Sequence, residues 1–434
     1  MIRILPTTAN KKPIDNRFFV KELLIFIVVS AIPLISSAQD RSAQQSRSQV
    51  PITLKQAIGL SLQQHPDLNA FTHDKLAMAA YVEQATMGTV PTIELTIEDG
   101  AGTDSHSGLK SAQSTMSIAW ILDNEVIEKN VNLAKNKSVL VDIEQELTAL
   151  DIAADTARLF VSTLIYEQRL KLAKQAVNQA NEVYQQIAKR VKAGKTKNVD
   201  LLLAKHELIA RELDLEELSY ELDANRYLLF SQWNASEQGA ISGALQPLPK
   251  IPGFNELTAK ITANPRFKLF ASNARIAESE IAAARVQVQP LWQFNAGVRR
   301  YEATDDYALV AGVSIPFGDQ NRNSGTISAL NAKISAYDAQ AQALEKTLLK
   351  QVYKLHQQLN HSRHVISTLA KKSIPTLEQA LIEAEKAYQI GSYSYREWQV
   401  IQNELLNTQE KLLAAYLSLH LNHIEIERLT GGTL

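Results

Sequence analysis

Between Asn124 and Lys192 the chain has neither glycine nor proline. Ala, Leu, Glu, Lys and Gln dominate there, residues that lose little on entering a helix. Apolar positions recur at helical spacing through Leu159, Leu164, Leu170, Ala173, Val177, Tyr184, Ile187 and Val191. The pattern predicts one helix over 124–192, on the order of 100 Å long. A second such stretch covers 325–389, opening on Gly325 and interrupted after it only at Pro375. Shorter helical patterns cover 66–89, 199–233, 265–289 and 392–430. Stacked end to end, 66–89 and 199–233 nearly match 124–192 in length, and 265–289 with 392–430 nearly match 325–389. Each half therefore predicts two antiparallel columns, one continuous and one broken. The helices alone do not exclude a soluble coiled-coil scaffold.

Four segments between the helices change period from helical to two. Ile93, Leu95 and Ile97 alternate with Glu94, Thr96 and Glu98. Met116, Ile118, Trp120 and Leu122 alternate with Thr115, Ser117 and Ala119. Trp292, Phe294, Ala296 and Val298 alternate with Gln293, Asn295, Gly297 and Arg299. Tyr307, Leu309, Ala311, Val313, Ile315 and Phe317 alternate with smaller residues such as Gly312 and Ser314. Each segment has about 8–12 residues, the length of a tilted membrane-spanning strand. One face is apolar and rich in aromatics; the other is polar and carries Glu94, Glu98 and Arg299. That is the pattern of a strand with lipid outside and an aqueous lumen inside. Polar loops at 99–110 and 302–306 join the strands into two hairpins. Four strands cannot close a membrane barrel, whose smallest examples have about eight. Open edges cannot face lipid. Several chains must then share one barrel; a small soluble sheet capping a coiled coil is the other reading these segments allow. The fold class is mostly α with a small antiparallel β part.

The plan occurs twice. Ser117-Ile118-Ala119-Trp120 recurs as Ser314-Ile315-Pro316-Phe317, and Ala193-Gly194 through Glu207-Leu208 recurs as Ile390-Gly391 through Glu404-Leu405, both shifted by 197 residues. A Gly- and Pro-rich stretch, 234–255, reads as a linker. The chain thus divides into a first repeat at 39–233, the linker at 234–255 and a second repeat at 256–434.

Residues 1–38 stand apart. Arg3, Lys11, Lys12, Arg17 and Lys21 precede the mostly apolar run 23–35, and Ser36-Ser37-Ala38 supplies small residues. This reads as a secretory signal peptide, too short for a spanning helix; an N-terminal anchor is the alternative. The 434 residues contain no cysteine. That excludes disulfides, thiolate metal sites, cysteine nucleophiles and a lipidated N-terminal cysteine. The net charge of −1 includes no run of like charge suited to nucleic acid. No Gly-x-Ser-x-Gly, His-Glu-x-x-His, phosphate loop or dinucleotide glycine motif occurs, and His206-Glu207 lacks a second histidine. No catalytic residue and no cofactor are expected, so any energy for transport must come from a partner.

The duplicated layout, with two strands between helices in each half, resembles the TolC family of outer-membrane efflux proteins over residues 52–431. The helix-turn signature of that family shows in Arg190-Val191-Lys192-Ala193-Gly194-Lys195-Thr196-Lys197-Asn198-Val199-Asp200-Leu201-Leu202 and again in Tyr388-Gln389-Ile390-Gly391-Ser392-Tyr393-Ser394-Tyr395-Arg396-Glu397. The family usually places Ser or Thr three residues after the turn glycine; Ser394 fits and Lys197 departs. The stretch from Ser314 to Gly325, with Asn321-Arg322-Asn323, resembles the heavy-metal (Czc-type) branch, as does 94–99. The resemblance implies a homotrimer with a shared 12-stranded β-barrel in the outer membrane of a Gram-negative bacterium. A coiled-coil tunnel of long helices continues it through the periplasm. It implies a passive conduit in a tripartite efflux system, reached through a periplasmic adaptor and an inner-membrane pump of the resistance-nodulation type. The narrower likeness implies metal cations as the solute. A protein- or drug-export duct, and a secreted coiled-coil structural or adhesive protein, are the competing readings.

On this reading the turns at Gly194 and Gly391 form the periplasmic tip. Arg190, Lys192, Lys195 and Lys197 make the first turn basic, with Asp200 just inside; Ser394, Tyr395 and Glu397 mark the second, beside Tyr393 and Arg396. These residues are candidates for the gate and the adaptor contact. Asp200 and Glu397 either anchor ion pairs that hold the tip shut or cap the helices that follow. Glu94, Glu98 and Arg299 are the candidate barrel-lumen residues. His361 with His364 and His420 with His423 sit three apart on helices. They read as solvated or packed histidines, because a conduit must release what it carries.

Overall fold

The computed structural model describes residues 51–235, 239–318 and 321–432. The leader expected over 1–38 lies outside them, as do Asp319 and Gln320. The elements run α1 (Leu54–Gln64), α2 (Pro66–Ala85), β1 (Thr92–Glu98), β2 (Gln113–Ile121), α3 (Asn124–Lys192) and α4 (Asn198–Ser231). They continue as α5 (Phe254–Ile261), α6 (Pro265–Val286), β3 (Gln293–Tyr301), β4 (Asp306–Ser314), α7 (Ser324–Thr368), α8 (Ile374–Gln389) and α9 (Tyr395–Thr430). The order helix, helix, strand, strand, long helix, helix thus appears twice.

The long helix α3 has 69 residues and matches the expected span. Its counterpart is broken between α7 and α8 by a π-turn at Leu369–Ser373. Pro375 has no N–H to donate, and the wider turn absorbs that loss without ending the column. Helices α2 and α4 both pack along α3; α6 packs along α7 and also touches α3, and α9 packs along α7 and α8. The broken columns therefore lie where the helix lengths place them.

Two short helices were not foreseen. The first, α1, is started by a capping box: Gln56 N donates to Thr53 Oγ1 and Gln56 Oε1 accepts from Thr53 N at 2.9 Å. The second, α5, begins at Phe254, inside the stretch read as linker. Both pack against the long columns. Ala57 joins Phe160, Leu164, Leu229 and Trp233 in one cluster. Leu257 and Ile261 join Ile165, Leu348, Val352 and Leu419 in the largest. Helices α2 and α6 start alike, with proline at the first position after a side-chain cap from His65 and Asn264 respectively.

The strands form one antiparallel sheet in the order β1-β2-β3-β4. β4 stops at Ser314, short of Ile315–Phe317, because Pro316 cannot donate to a ladder. The central pairing, β2 with β3, joins the two repeats. Its register aligns the apolar positions across all four strands: Leu95, Met116, Val298 and Leu309 form one row, and Ile93, Ile118, Ala296 and Ala311 the next. This face is bare, with Leu95 67% and Leu309 88% exposed. No helix among the described residues is long and apolar enough to cross a membrane.

Candidate functional site

Two regions carry the predicted site residues. The first is the polar face of the sheet, whose rows alternate with the apolar ones. One row holds Glu94, Ser117, Gly297 and Val310; the next holds Thr96, Thr115, Arg299 and Ala308; the third holds Glu98, Gln113, Tyr301 and Asp306. All three expected lumen residues therefore share one face. Arg299 is tied down by three acceptors: Nε donates to Thr115 Oγ1 (2.8 Å), Nη1 to Gln113 Oε1 (3.0 Å) and Nη2 to Glu98 Oε2 (2.9 Å). Gln113 and Thr115 were not singled out from sequence. Their strand parity was the available signal.

The second region is the end where both helical hairpins turn. Each reversal closes by the same pair of hydrogen bonds. Lys195 N donates to Arg190 O (2.9 Å) and Gly194 N to Val191 O (2.9 Å). In the second hairpin Ser392 N donates to Ala387 O (2.9 Å) and Gly391 N to Tyr388 O (3.1 Å). These are Schellman turns, which place a residue at positive φ just past the helix end. Gly194 (φ +68°) and Gly391 (φ +80°) occupy that place. The helices that follow start differently. Ser394 and Glu397 make a full capping box, with Ser394 N donating to Glu397 Oε2 at 2.7 Å. The backbone and side-chain hydrogen bonds from Ser394 hold the Glu397 carboxyl below its ordinary pKa. Lys197, where the family pattern expects Ser or Thr, makes no side-chain cap. There Thr196 Oγ1 instead donates to Asp200 Oδ2 at 2.6 Å.

The two hairpins meet in a buried cluster of Val183, Ile187, Ala204, Ala384, Tyr388, Tyr395 and Trp398. Tyr388 stacks on Trp398 with centroids 5.1 Å apart, and Tyr395 meets Trp398 edge-on at 6.4 Å. The Arg190 guanidinium lies 4.7 Å from the Tyr388 ring centroid. Such a cation–π contact is worth about 0.5–2 kcal/mol. Tyr395 is buried in this cluster and displays no surface to a partner. Burial, helped by Glu207, pushes its hydroxyl up to about 12. Lys192, Lys195, Lys197 and Ser394 remain exposed around the turns. Tyr388 and Trp398 were missed from sequence, because their partnership crosses a turn between antiparallel helices.

The histidines take separate roles. His361 and His364 are exposed on α7. His420 Nε2 lies 3.2 Å from Leu245 O, and burial lowers its pKa. His423 Nε2 lies 3.3 Å from Glu427 Oε1. Among the described residues, no three His, Asp or Glu side chains gather as a metal site.

A sheet with one bare apolar face and one polar face, carried on helices of this length, fits an outer-membrane channel continued by a helical tunnel. Residues 57–234 match the pattern of the outer membrane efflux protein family. It is 25% identical over 384 residues to the cobalt-zinc-cadmium resistance protein CzcC of Cupriavidus metallidurans, covering 88% of this chain and 90% of that one. Its fold matches a crystal structure of CusC with a TM-score of 0.72 at 15% identity, covering 88% of this chain and 92% of that one. It also matches the outer membrane protein VceC of Vibrio cholerae with a TM-score of 0.68 at 15% identity, covering 87% and 96%. The protein is a passive channel of the Gram-negative outer membrane extending into the periplasm, the outer component of a tripartite efflux system, and not an enzyme.

Proposed function

We propose that three copies of this chain close a 12-stranded barrel and conduct metal cations outward. The observation that carries the assembly is the sheet itself. β1 and β4 each keep one unpaired edge, while the apolar face runs unbroken across all four strands. Such a sheet is stable in lipid only if its edges meet those of other copies. The number three rests on the likeness to the family. The metal reading rests on the relative named for cobalt, zinc and cadmium resistance and on Asn321-Arg322-Asn323.

The turn end is the periplasmic tip in this proposal. Arg190, Lys192, Gly194, Lys195, Lys197, Asp200, Gly391, Ser394, Tyr395 and Glu397 shape it. Its exposed basic turn and Ser394 face the adaptor, which links the channel to a resistance-nodulation pump. A deletion strain tests the solute: greater sensitivity to cobalt, zinc or cadmium supports the reading. Unchanged metal tolerance with greater drug sensitivity would replace it. Crosslinking of the purified protein tests the trimer, and any other limiting species refutes it. Single-channel conductance of Asp200→Ala and Glu397→Ala tests gating; unchanged conductance and antibiotic leak would remove both from the gate.

A further inference from the structure

Four charged side chains stand on the polar sheet face: Glu94, Glu98, Arg299 and Asp306. They are not equivalent. Arg299 shares a row with Thr96, so Glu94 and Glu98 lie two residues to either side of it on β1. The guanidinium turns to Glu98 only. Gln113 accepts from it on that side and is itself held by donating Nε2 to Asp99 Oδ2 at 2.9 Å. On the other side the row of Glu94 holds only Ser117 and Gly297 between β1 and β4. A Cβ at position 297 would strike the Met116 carbonyl and Ser117, so the wall there stays low. The Glu94 side chain is exposed and has no ion pair or hydrogen bond among the described residues. Asp306 sits at the strand end beside the 302–305 loop, at the rim.

We infer that Glu94 sets the cation preference of the barrel lumen, and that Glu98 serves to silence Arg299. The inference rests on the shared barrel proposed above. Each copy then adds the unneutralised Glu94 carboxylate at the same level, while Arg299 and Glu98 cancel one another further along and Asp306 stands in the outermost row at the rim. Rings of carboxylates favour cations in this way. One carboxylate per copy attracts without forming a ligand set, which suits a passage that must release its ions. The low wall formed by Ser117 and Gly297 leaves that charge open to the lumen.

The chain has no cysteine, so Ser117→Cys, in register beside Glu94, is a unique reporter. Its modification rates by a cationic and an anionic methanethiosulfonate, added outside cells at about 10 mM salt where charges act over roughly 30 Å, read the local field. The cationic reagent is expected to react faster. Glu94→Gln, or Glu94→Thr as a second strand-compatible variant, lowers the cation-to-anion ratio roughly threefold or more. Glu98→Gln lowers it too, by leaving the Arg299 charge uncompensated, and Arg299→Gln raises it. A ratio that both Glu94 variants leave unchanged, with the cysteine still reactive, overturns the inference but spares the barrel. A cysteine that reacts with neither reagent overturns the barrel reading and this inference with it.

Discussion

Arg299 on β3 reaches over β2 to pair with Glu98 on β1, Nη2 to Oε2 at 2.9 Å, across 201 residues of sequence. The contact ties the second hairpin to the first. Both side chains are partly exposed, so the ion pair alone contributes up to about 1 kcal/mol. The hydrogen bonds to Thr115 and Gln113 add to it. Arg299→Met removes all three and should cost about 1–3 kcal/mol. Glu98→Gln keeps an acceptor for Nη2 and should cost less. Heat-modifiability on gels reads this as a lower dissociation temperature. Equal heat resistance of Arg299→Met and the natural protein would mean that the bridge adds nothing.

Adjacent residues on β4 should respond oppositely to the same change. Leu309 lies in an apolar row with Leu95, Met116 and Val298, whereas Val310 lies in the row of Glu94. A lipid-facing arginine near mid-membrane costs about 2–4 kcal/mol, while lumen positions tolerate charge. Leu309→Arg should therefore deplete folded protein from the outer membrane, and Val310→Arg should not. Fractionation followed by blotting measures both. Equal levels of the two variants would contradict the assigned faces.

Gly194 and Gly391 occupy equivalent Schellman turns, and nothing lies within 4 Å of a Cβ added at either. Replacement by alanine meets no clash, only the backbone cost of positive φ, about 1–2 kcal/mol. Gly194→Ala and Gly391→Ala should lower stability by similar amounts. Gly59→Ala, inside α1 with equally open space, should be neutral or stabilising. Thermal melts of the three variants decide it; a neutral Gly391→Ala would remove the conformational argument.

Much of this architecture is legible because its signals are local. The span 124–192 contains no helix breaker, and β-strand parity separates the sheet faces before any pairing is known. What was missed depends on partners far away in sequence. The π-turn before Pro375 keeps the column intact, although proline alone cannot distinguish a kink from an end. The capping box Thr53–Gln56 was a readable mark for α1, but α5 starts at Gly253 without any side-chain cap. Parity places Glu94, Glu98 and Arg299 on one face. Only the β2–β3 register and Gln113 decide which glutamate Arg299 takes. The stacking of Tyr388 on Trp398 likewise appears only when the two helices fold back on each other.

The long helix α3 and the last helix α9 are fastened by charge. Arg428 Nη2 pairs with Glu425 Oε1 (2.7 Å) and its Nη1 with Asp151 Oδ1 (2.8 Å), while Arg158 bridges Glu425 and Asp155. Burial alone would raise the Glu425 pKa; the two guanidinium groups outweigh it and hold the carboxyl below its ordinary value of 4.5. A depressed carboxyl pKa stabilises the fold above the unfolded value, and that contribution is lost as pH falls through the folded one. Glu425→Gln should therefore cost about 1–3 kcal/mol at neutral pH. The gap to the natural protein should narrow once the pH drops below about 4.5. Arg428 stays charged throughout, its pKa raised by Glu425. Paired circular-dichroism melts of the natural protein and Glu425→Gln between neutral and acid pH measure the difference. A gap that stays constant across that range would show that the charge of Glu425 does not fasten α9 to α3.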